Sequence, residues 1–206
     1  MGKAIARKVR RLGATLAMAL AIPALAMPAM GVSAWASQPW RYALDSTASD
    51  VRAQVAFLGL SNKTAQFPTV RGRVALSQHD REAIDLDVTI DARALRADDP
   101  TTLTRLKGPA FFDVARFPDV RFSGQSMRFT GDRTAEVRGA LTARGVTRPE
   151  TLRITFDRDP AQAAPGDPMR LTGRMVIDRR DYGMTAWSLV VGNKVDITLR
   201  TRMVPD

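Results

Sequence analysis

Beyond residue 40, apolar and polar residues alternate with a period of two over one short run after another. Trp40, Tyr42 and Leu44 alternate with Arg41, Ala43 and Asp45, and Val51, Ala53, Val55 and Phe57 alternate with Arg52, Gln54 and Ala56. Each run is the pattern of a half-buried strand. The second strand must bend or break between Leu58 and Pro68, where Gly59, Ser61, Asn62 and Pro68 collect. Val70, Gly72, Val74 and Leu76 carry a third run, and Ile84, Leu86, Val88 and Ile90, set between Asp85, Asp87, Thr89 and Asp91, carry the cleanest one. Further strands are predicted around Val120–Ser126, Val137–Leu141, Leu152–Phe156, Leu171–Ile177 and Val195–Met203, with turns at Gly131-Asp132, Thr142–Pro149, Asp159–Pro168 and Asp178–Met184.

The period fails between Arg93 and Lys107. Asp98-Asp99-Pro100-Thr101 reads as a helix entry, and Leu103 and Leu106 lie three apart, so a short helix is predicted from about Pro100 to Lys107. It leads into Ala110–Phe122, which holds Phe111, Phe112, Phe117 and Phe122, half of the eight phenylalanines, with no simple period. This stretch is expected to be an aromatic cap feeding a strand, its rings either plugging a core or closing the mouth of an apolar cavity. Eight or nine short strands with one helix make an antiparallel barrel or sandwich. Gly72, Gly124, Gly139 and Gly173 recur at inward positions, which tilts the choice to a barrel with space for a ligand, the alternative being bends or bulges.

The first residues change the setting. Lys3, Arg7, Lys8, Arg10 and Arg11 precede a charge-free run from Leu12 to Ala36 that ends in Ala34-Trp35-Ala36, the layout of a secretory signal peptide over residues 1–36. A cut after Ala26, or retention of the run as an anchor, are the alternatives; export follows from each. The mature domain is then 37–206, one domain by size, expected in the periplasm. Five of the 31 basic residues and none of the 21 acidic ones leave with the leader, so the mature charge is 26 minus 21, or +5, against +10 for the whole chain. The positive charges are spread over alternate strand positions, which argues against a nucleic-acid groove and leaves weak attraction to anionic lipid. With no cysteine, the exported domain must be held by its core alone.

Candidate chemistry is sparse. His79, the single histidine, sits in a polar turn, and with no cysteine a zinc site would need carboxylates almost alone. Asp85, Asp87 and Asp91 form an outward row, as solvated strand faces do. There is no Gly-rich phosphate loop and no G-x-S-x-G elbow. No nucleophile–base pair can be assembled, so a binding protein is expected rather than an enzyme, with no catalytic residue, metal or cofactor. The densest charged cluster is Ile177–Met184. There Arg179 and Asp181 are expected to pair and Tyr182 to pack, or else Arg179 and Arg180 meet a ligand's head group at a cavity mouth.

Three segments carry a resemblance. Gly139 with Leu141-Thr142-Ala143-Arg144-Gly145-Val146-Thr147-Arg148-Pro149, Phe111-Phe112-Asp113 through Phe117-Pro118 to Phe122, and Ile177-Asp178-Arg179 to Tyr182-Gly183-Met184 are similar, in order, to three motifs of the YceI-like family. Leu58-Gly59-Leu60 and Lys63 depart from that pattern, the first where an H-x-G often stands. The resemblance implies an all-β, extended antiparallel eight-stranded lipocalin-like barrel with one short helix capping an end. It also implies a periplasmic protein that holds an amphiphilic polyisoprenoid or quinone-like lipid in its pore, for sequestration, transport or storage. An accessory role, presenting a quinone-like lipid to a membrane redox or isoprenoid enzyme, is the alternative. The ligand-facing residues expected are Phe57, Val74, Leu86, Val88, Phe122, Leu141, Ile154, Met175 and Ile197, with Phe111 and Phe112 closing one end, Tyr182 nearby, and Arg179 and Arg180 as head-group contacts. Partners expected are the lipid, transiently the membrane or a membrane redox protein, and a second copy of the chain in a homodimer, with no nucleic acid.

Overall fold

The computed structural model describes residues 39–206 apart from 78, 81 and 165; the leader read over 1–36 lies outside the described residues. Eleven strands form one antiparallel sheet: β1 (Trp40–Leu44), β2 (Asp50–Phe57), β3 (Ser61–Phe67), β4 (Val70–Leu76), β5 (Ala83–Asp91), β6 (Arg96–Ala97), β7 (Asp119–Gly131), β8 (Thr134–Ala143), β9 (Val146–Phe156), β10 (Met169–Asp178) and β11 (Val191–Pro205). Eight of them close a ring in the order β1-β4-β5-β7-β8-β9-β10-β11, and β11 returns to β1 through Leu44 and Met203. The predicted barrel is therefore the fold. Within the ring, closure pairs each strand with two neighbours, and the inward parity of each strand fills the core. In β10, for example, Met169, Leu171, Met175 and Ile177 are buried, and Arg170 and Arg174 between them point outward.

The wall is longer than the closed ring. β11 pairs with β1 only at Met203–Pro205, and further back the same edge is taken by β2, from Val191 to Arg200. The switch is one 3-10 turn, Ser46–Ala48, capped by Asp45, whose carboxylate accepts from the Thr47 N–H at 3.0 Å. β3 pairs with β2 from Val51 to Phe57, and β6 adds to β3, so the β2–β3 hairpin extends the barrel at one end.

β3 corrects the sequence reading, which broke the chain between Leu58 and Pro68. Only Ala65 and Phe67 of this strand are buried, so its alternation is faint, and the turn residue Leu58 sits at a φ of 52° beside Gly59 at 67°. A leucine in the left-handed region is not a turn signal that sequence carries. The turn predicted over Thr142–Pro149 shrinks in the same way to Arg144 and Gly145, at φ 51° and 74°, and Pro149 lies in β9 opposite Ala140.

Among the described residues one α-helix is present, α1, and it spans Pro100–Lys107 as expected. Asp99 caps it by accepting from the Thr102 N–H at 2.8 Å, and proline occupies the first turn, where a missing N–H costs nothing. After Gly108 the aromatic stretch winds back through consecutive turns: Phe112 N–H donates to the Leu106 carbonyl, and the N–H groups of Arg116 and Phe117 both donate to Asp113.

The inward glycines are not the empty volume they were expected to leave. A Cβ on Gly72 would lie 2.7 Å from a Leu44 methyl, and one on Gly173 would lie 3.0 Å from a Leu152 methyl. On Gly139 it would meet the Ser123 carbonyl and, at 2.9 Å, the Gly124 Cα, so β7 and β8 are drawn together at that crossing. These positions are filled by neighbouring side chains and backbone. Gly139→Ala is accordingly expected to destabilise the fold by about 1–3 kcal/mol, read as a lower melting temperature in a thermal scan; a rise would mean that the site has space after all.

Candidate functional site

Two apolar cavities lie along the barrel axis, of about 380 Å³ and about 440 Å³. Val88, Leu152 and Leu199 line both, so they form a waist between two lobes. The first lobe is walled where β2 and β3 extend the barrel. Of the residues singled out from sequence, Phe57, Val88, Phe111, Phe112, Phe122, Leu141, Met175 and Ile197 line it. Val74, Leu86 and Ile154 line the second lobe, with Val88 shared. Phe111 and Phe112 thus do face the cavity, and the Phe112 ring packs edge-on against Phe67 at 5.5 Å. The plug and the lid are the same residues, because the cap closes the end of a hollow barrel.

The mouth of the first lobe is polar, and its polar residues were not the expected ones. Lys63, Asp99, Thr101, Thr102 and Arg105 line it together with Trp187. The Lys63 ammonium stands 3.3 Å from the Asp99 carboxylate and 5.7 Å from the centre of the Phe57 ring. The Arg105 guanidinium lies over Trp187, 4.8 Å from the ring centre. The Thr102 N–H and hydroxyl, with Lys63 adding to them, hold the Asp99 carboxyl down to about 2. The signal that would have found this face was helical spacing: Thr101 and Arg105, and Thr102 and Leu106, are each four apart, so one stripe of α1 faces the cavity.

Of the three residues expected near the head group, one lines a lobe and two do not. Arg179 does line the first lobe, but its guanidinium is committed to backbone. Nε donates to the Gly192 carbonyl at 2.8 Å, Nη1 to Met184 and, at 2.8 Å, to Ala186, and Nη2 to Val191 at 3.0 Å. With 2% of its surface exposed, it fastens the 184–192 segment and has little left to offer a head group. Arg180 lines neither lobe: it forks onto Asp178, Nε to Oδ1 at 3.0 Å and Nη2 to Oδ2 at 2.7 Å, which holds that carboxyl well below its ordinary value. This pair replaces the one expected between Arg179 and Asp181. Tyr182 is fully buried off the cavities and donates its hydroxyl to Glu150 at 3.0 Å; burial first, and then Glu150, push that hydroxyl up.

The three motif segments meet behind this mouth. Arg144, in the β8–β9 turn, donates Nη2 to the Pro109 carbonyl at 2.6 Å and Nη1 to the Gly183 carbonyl. A Cβ on Gly145 would lie 2.7 Å from the Phe117 ring. Among the described residues no group of three or more His, Cys, Asp or Glu side chains is placed to hold a metal.

The model of the YceI-like domain matches residues 42–203. The chain belongs to this family. Its curated relatives include a UPF0312 protein of Pseudomonas putida, 27% identical over 131 residues that cover 64% of this chain and 68% of that one. Among solved structures, Burkholderia cenocepacia BcnA superposes with a TM-score of 0.68 at 19% identity, covering 77% of this chain and 98% of that one. A polyisoprenoid binding domain from Saccharophagus degradans, implicated in plant cell wall breakdown, gives 0.62 at 15% identity, covering 80% and 98%. A Campylobacter jejuni YCEI protein gives 0.63 at 17%, covering 71% and 87%. At these identities the structures share the YceI-like fold.

Two measurements check this geometry. Arg179→Met leaves one buried and three partly buried carbonyls without their donor and is expected to cost about 3–5 kcal/mol, seen as a lower urea midpoint. For Asp99 the folded value of about 2 lies below the ordinary 3.8, so its contribution is full above about pH 4 and is lost as pH falls toward 2. Asp99→Asn keeps a capping acceptor but does not titrate. Its urea midpoint is expected to fall less between pH 4 and pH 2 than that of the parent chain; parallel curves would show that Asp99 carries no such linkage.

Proposed function

We propose that the protein binds a long-chain amphiphilic lipid of polyisoprenoid or quinone type, with the tail in the barrel and the head group at the mouth formed by Lys63, Thr101, Thr102 and Arg105. The observation that carries this is the pair of apolar lobes joined at Val88, Leu152 and Leu199, with cationic and hydroxyl side chains set at the rim of the first. Burying a hydrocarbon chain contributes about 25 cal/mol for each Å² removed from water, and a few polar groups at one end fix its direction. The Saccharophagus degradans neighbour, itself a polyisoprenoid binding domain, supports the ligand class. The leader read over residues 1–36 supports a periplasmic setting, in which such a protein sequesters, stores or carries a lipid that water would not. On this reading the protein is a binder and not an enzyme.

Organic extraction of the protein purified from its own host, followed by mass spectrometry, is expected to release one amphiphilic lipid in near-stoichiometric amount, and its mass separates an isoprenoid from a quinone. Repeated recovery of none, together with no displaceable apolar dye, would overturn the proposal. Val88→Phe adds bulk at the waist and is expected to shorten the longest chain retained while the barrel still folds, at a cost of about 1–3 kcal/mol. An unchanged lipid profile in this variant would mean that the tail does not pass from one lobe to the other.

A further inference from the structure

Two surface loops stand at the rim of the first lobe, and both are apolar. Leu58 and Leu60 form the tip of the β2–β3 hairpin, and Trp187 and Leu189 lie in the segment before β11. Leu60 is 91% and Leu189 98% exposed, and Leu58 and Trp187 are each more than half exposed. The Leu58 N–H donates to the Val190 carbonyl at 2.8 Å, which sets the two tips side by side. Neither segment carries a charge: Val55–Asn62 and Gly183–Asn193 hold no Asp, Glu, Lys or Arg. Leu58 and Trp187 also sit at φ 52° and 59°, a region costly for bulky side chains. An exposed leucine is ordinary; four large apolar side chains on two adjacent, uncharged, strained tips are not.

Charge divides the molecule along the same axis. The connections clustered at this end, 58–60, 92–118, 144–145 and 179–190, contain eight basic and four acidic residues. Among the described residues, those at the other end, within 77–82, 132–133 and 157–168 with Asp206, include two basic and seven acidic ones. At the same end, Arg105 stacks on Trp187, and Arg96 in β6 and Lys107 in α1 have no ion pair among the described residues. Exposed leucines, an interfacial tryptophan and neighbouring cations are the side chains that a bilayer interface takes up at its acyl chains, carbonyls and anionic phosphates.

We propose that this end of the barrel docks on an anionic phospholipid surface, with Leu58, Leu60, Trp187 and Leu189 entering the head-group layer and the basic residues on α1 and its flanks meeting phosphates. The inference extends the lipid-binding reading, on which it rests for its purpose: it sets the cavity mouth against the membrane from which an apolar tail would enter. The acidic end then faces away from the bilayer, so one orientation is favoured over its reverse.

The test is co-sedimentation of the full chain, as its host processes it, with phosphatidylcholine vesicles with and without phosphatidylglycerol. Binding is expected only to the anionic vesicles and to weaken with salt. Leu60→Ser with Leu189→Ser, both on the surface and outside the cavity walls, is expected to lower partitioning by about tenfold or more with the melting temperature unchanged. Arg96→Gln and Lys107→Gln are each expected to lower it by about fivefold. Quenching by brominated lipid is expected to fall in Trp187→Phe and persist in Trp40→Phe. Equal binding by the parent and the double leucine variant, equal binding to neutral vesicles, or quenching carried by Trp40 overturns the docking face. Uptake of an apolar dye without vesicles reads the cavity separately. Dye uptake without vesicle binding removes the docking proposal alone, and vesicle binding without dye uptake removes the lipid-pocket reading and leaves the docking face standing.

Discussion

A buried arginine with no carboxylate partner among the described residues holds the rim of the first lobe in shape. Arg179 is almost wholly covered, and the nearest acid in sequence, Asp178, is taken by Arg180. Its charge is met by carbonyl dipoles of Met184, Ala186, Val191 and Gly192. A guanidinium suits this arrangement, since its planar fork can serve several acceptors while an ammonium acts as a point charge. Two of these carbonyls, of Met184 and Ala186, belong to the segment between β10 and β11, and the other two, of Val191 and Gly192, to the first residues of β11. Without the arginine they would be buried and unpaired, or the segment would have to open to water. Trp187 lies between two of the anchored carbonyls, those of Ala186 and Val191, and the register shift between Val191 and Val195 begins at the second of these. So the mouth of the first lobe is shaped by a residue that was expected to contact the ligand.

Arg144 extends the same device around the rim. By donating to Pro109 and Gly183 it joins the aromatic cap to the turn that carries Tyr182, and Gly145 beside it leaves room for the Phe117 ring. The three segments that mark the YceI-like family are thus in contact, and what they share is the closing of backbone at one end of a barrel rather than a row of ligand contacts. This accounts for why such motifs can identify the family and still say little about what a given member binds. The residues that line the lobes are ordinary inward positions of strands, where one apolar side chain can replace another at modest cost.

That division also marks what could be read from sequence. The bounds of α1 were legible because Asp99, Pro100 and Gly108 each act locally, through a cap, a fixed φ and a stop. The inward parity of β4, β5, β10 and β11 was legible because alternation is a local pattern as well. β3 was not, since its polar residues Ser61, Asn62, Lys63 and Gln66 hide the two buried positions and its turn depends on a left-handed leucine. The glycines misled for a different reason: a sequence shows that a side chain is missing, but not that a Leu44 or Leu152 methyl fills the place. The charged cluster at Ile177–Met184 was visible, yet its roles depend on carbonyls up to thirteen residues further on, which no local pattern announces.

The placement of charge gives the hollow a direction. A tail that occupied both lobes could lie either way round if only apolar burial counted, since the two lobes are alike in size and lining. The ends are not alike. At the first mouth an anionic head would meet Lys63, which pairs with the cap Asp99 at the start of α1, and Arg105 in the last turn of that helix, whereas the second lobe is lined by Asp132 and Asp159. Reversal would set like charges together and strand the head away from its donors, and each such contact costs more in a partly dry mouth than in bulk water. A neutral quinone-like head would feel this bias far less than a phosphorylated isoprenoid. The polarity of the rim is therefore the property that would separate the two ligand classes, and it is set by α1 and β3, the two elements in which this chain departs most from a plain closed barrel.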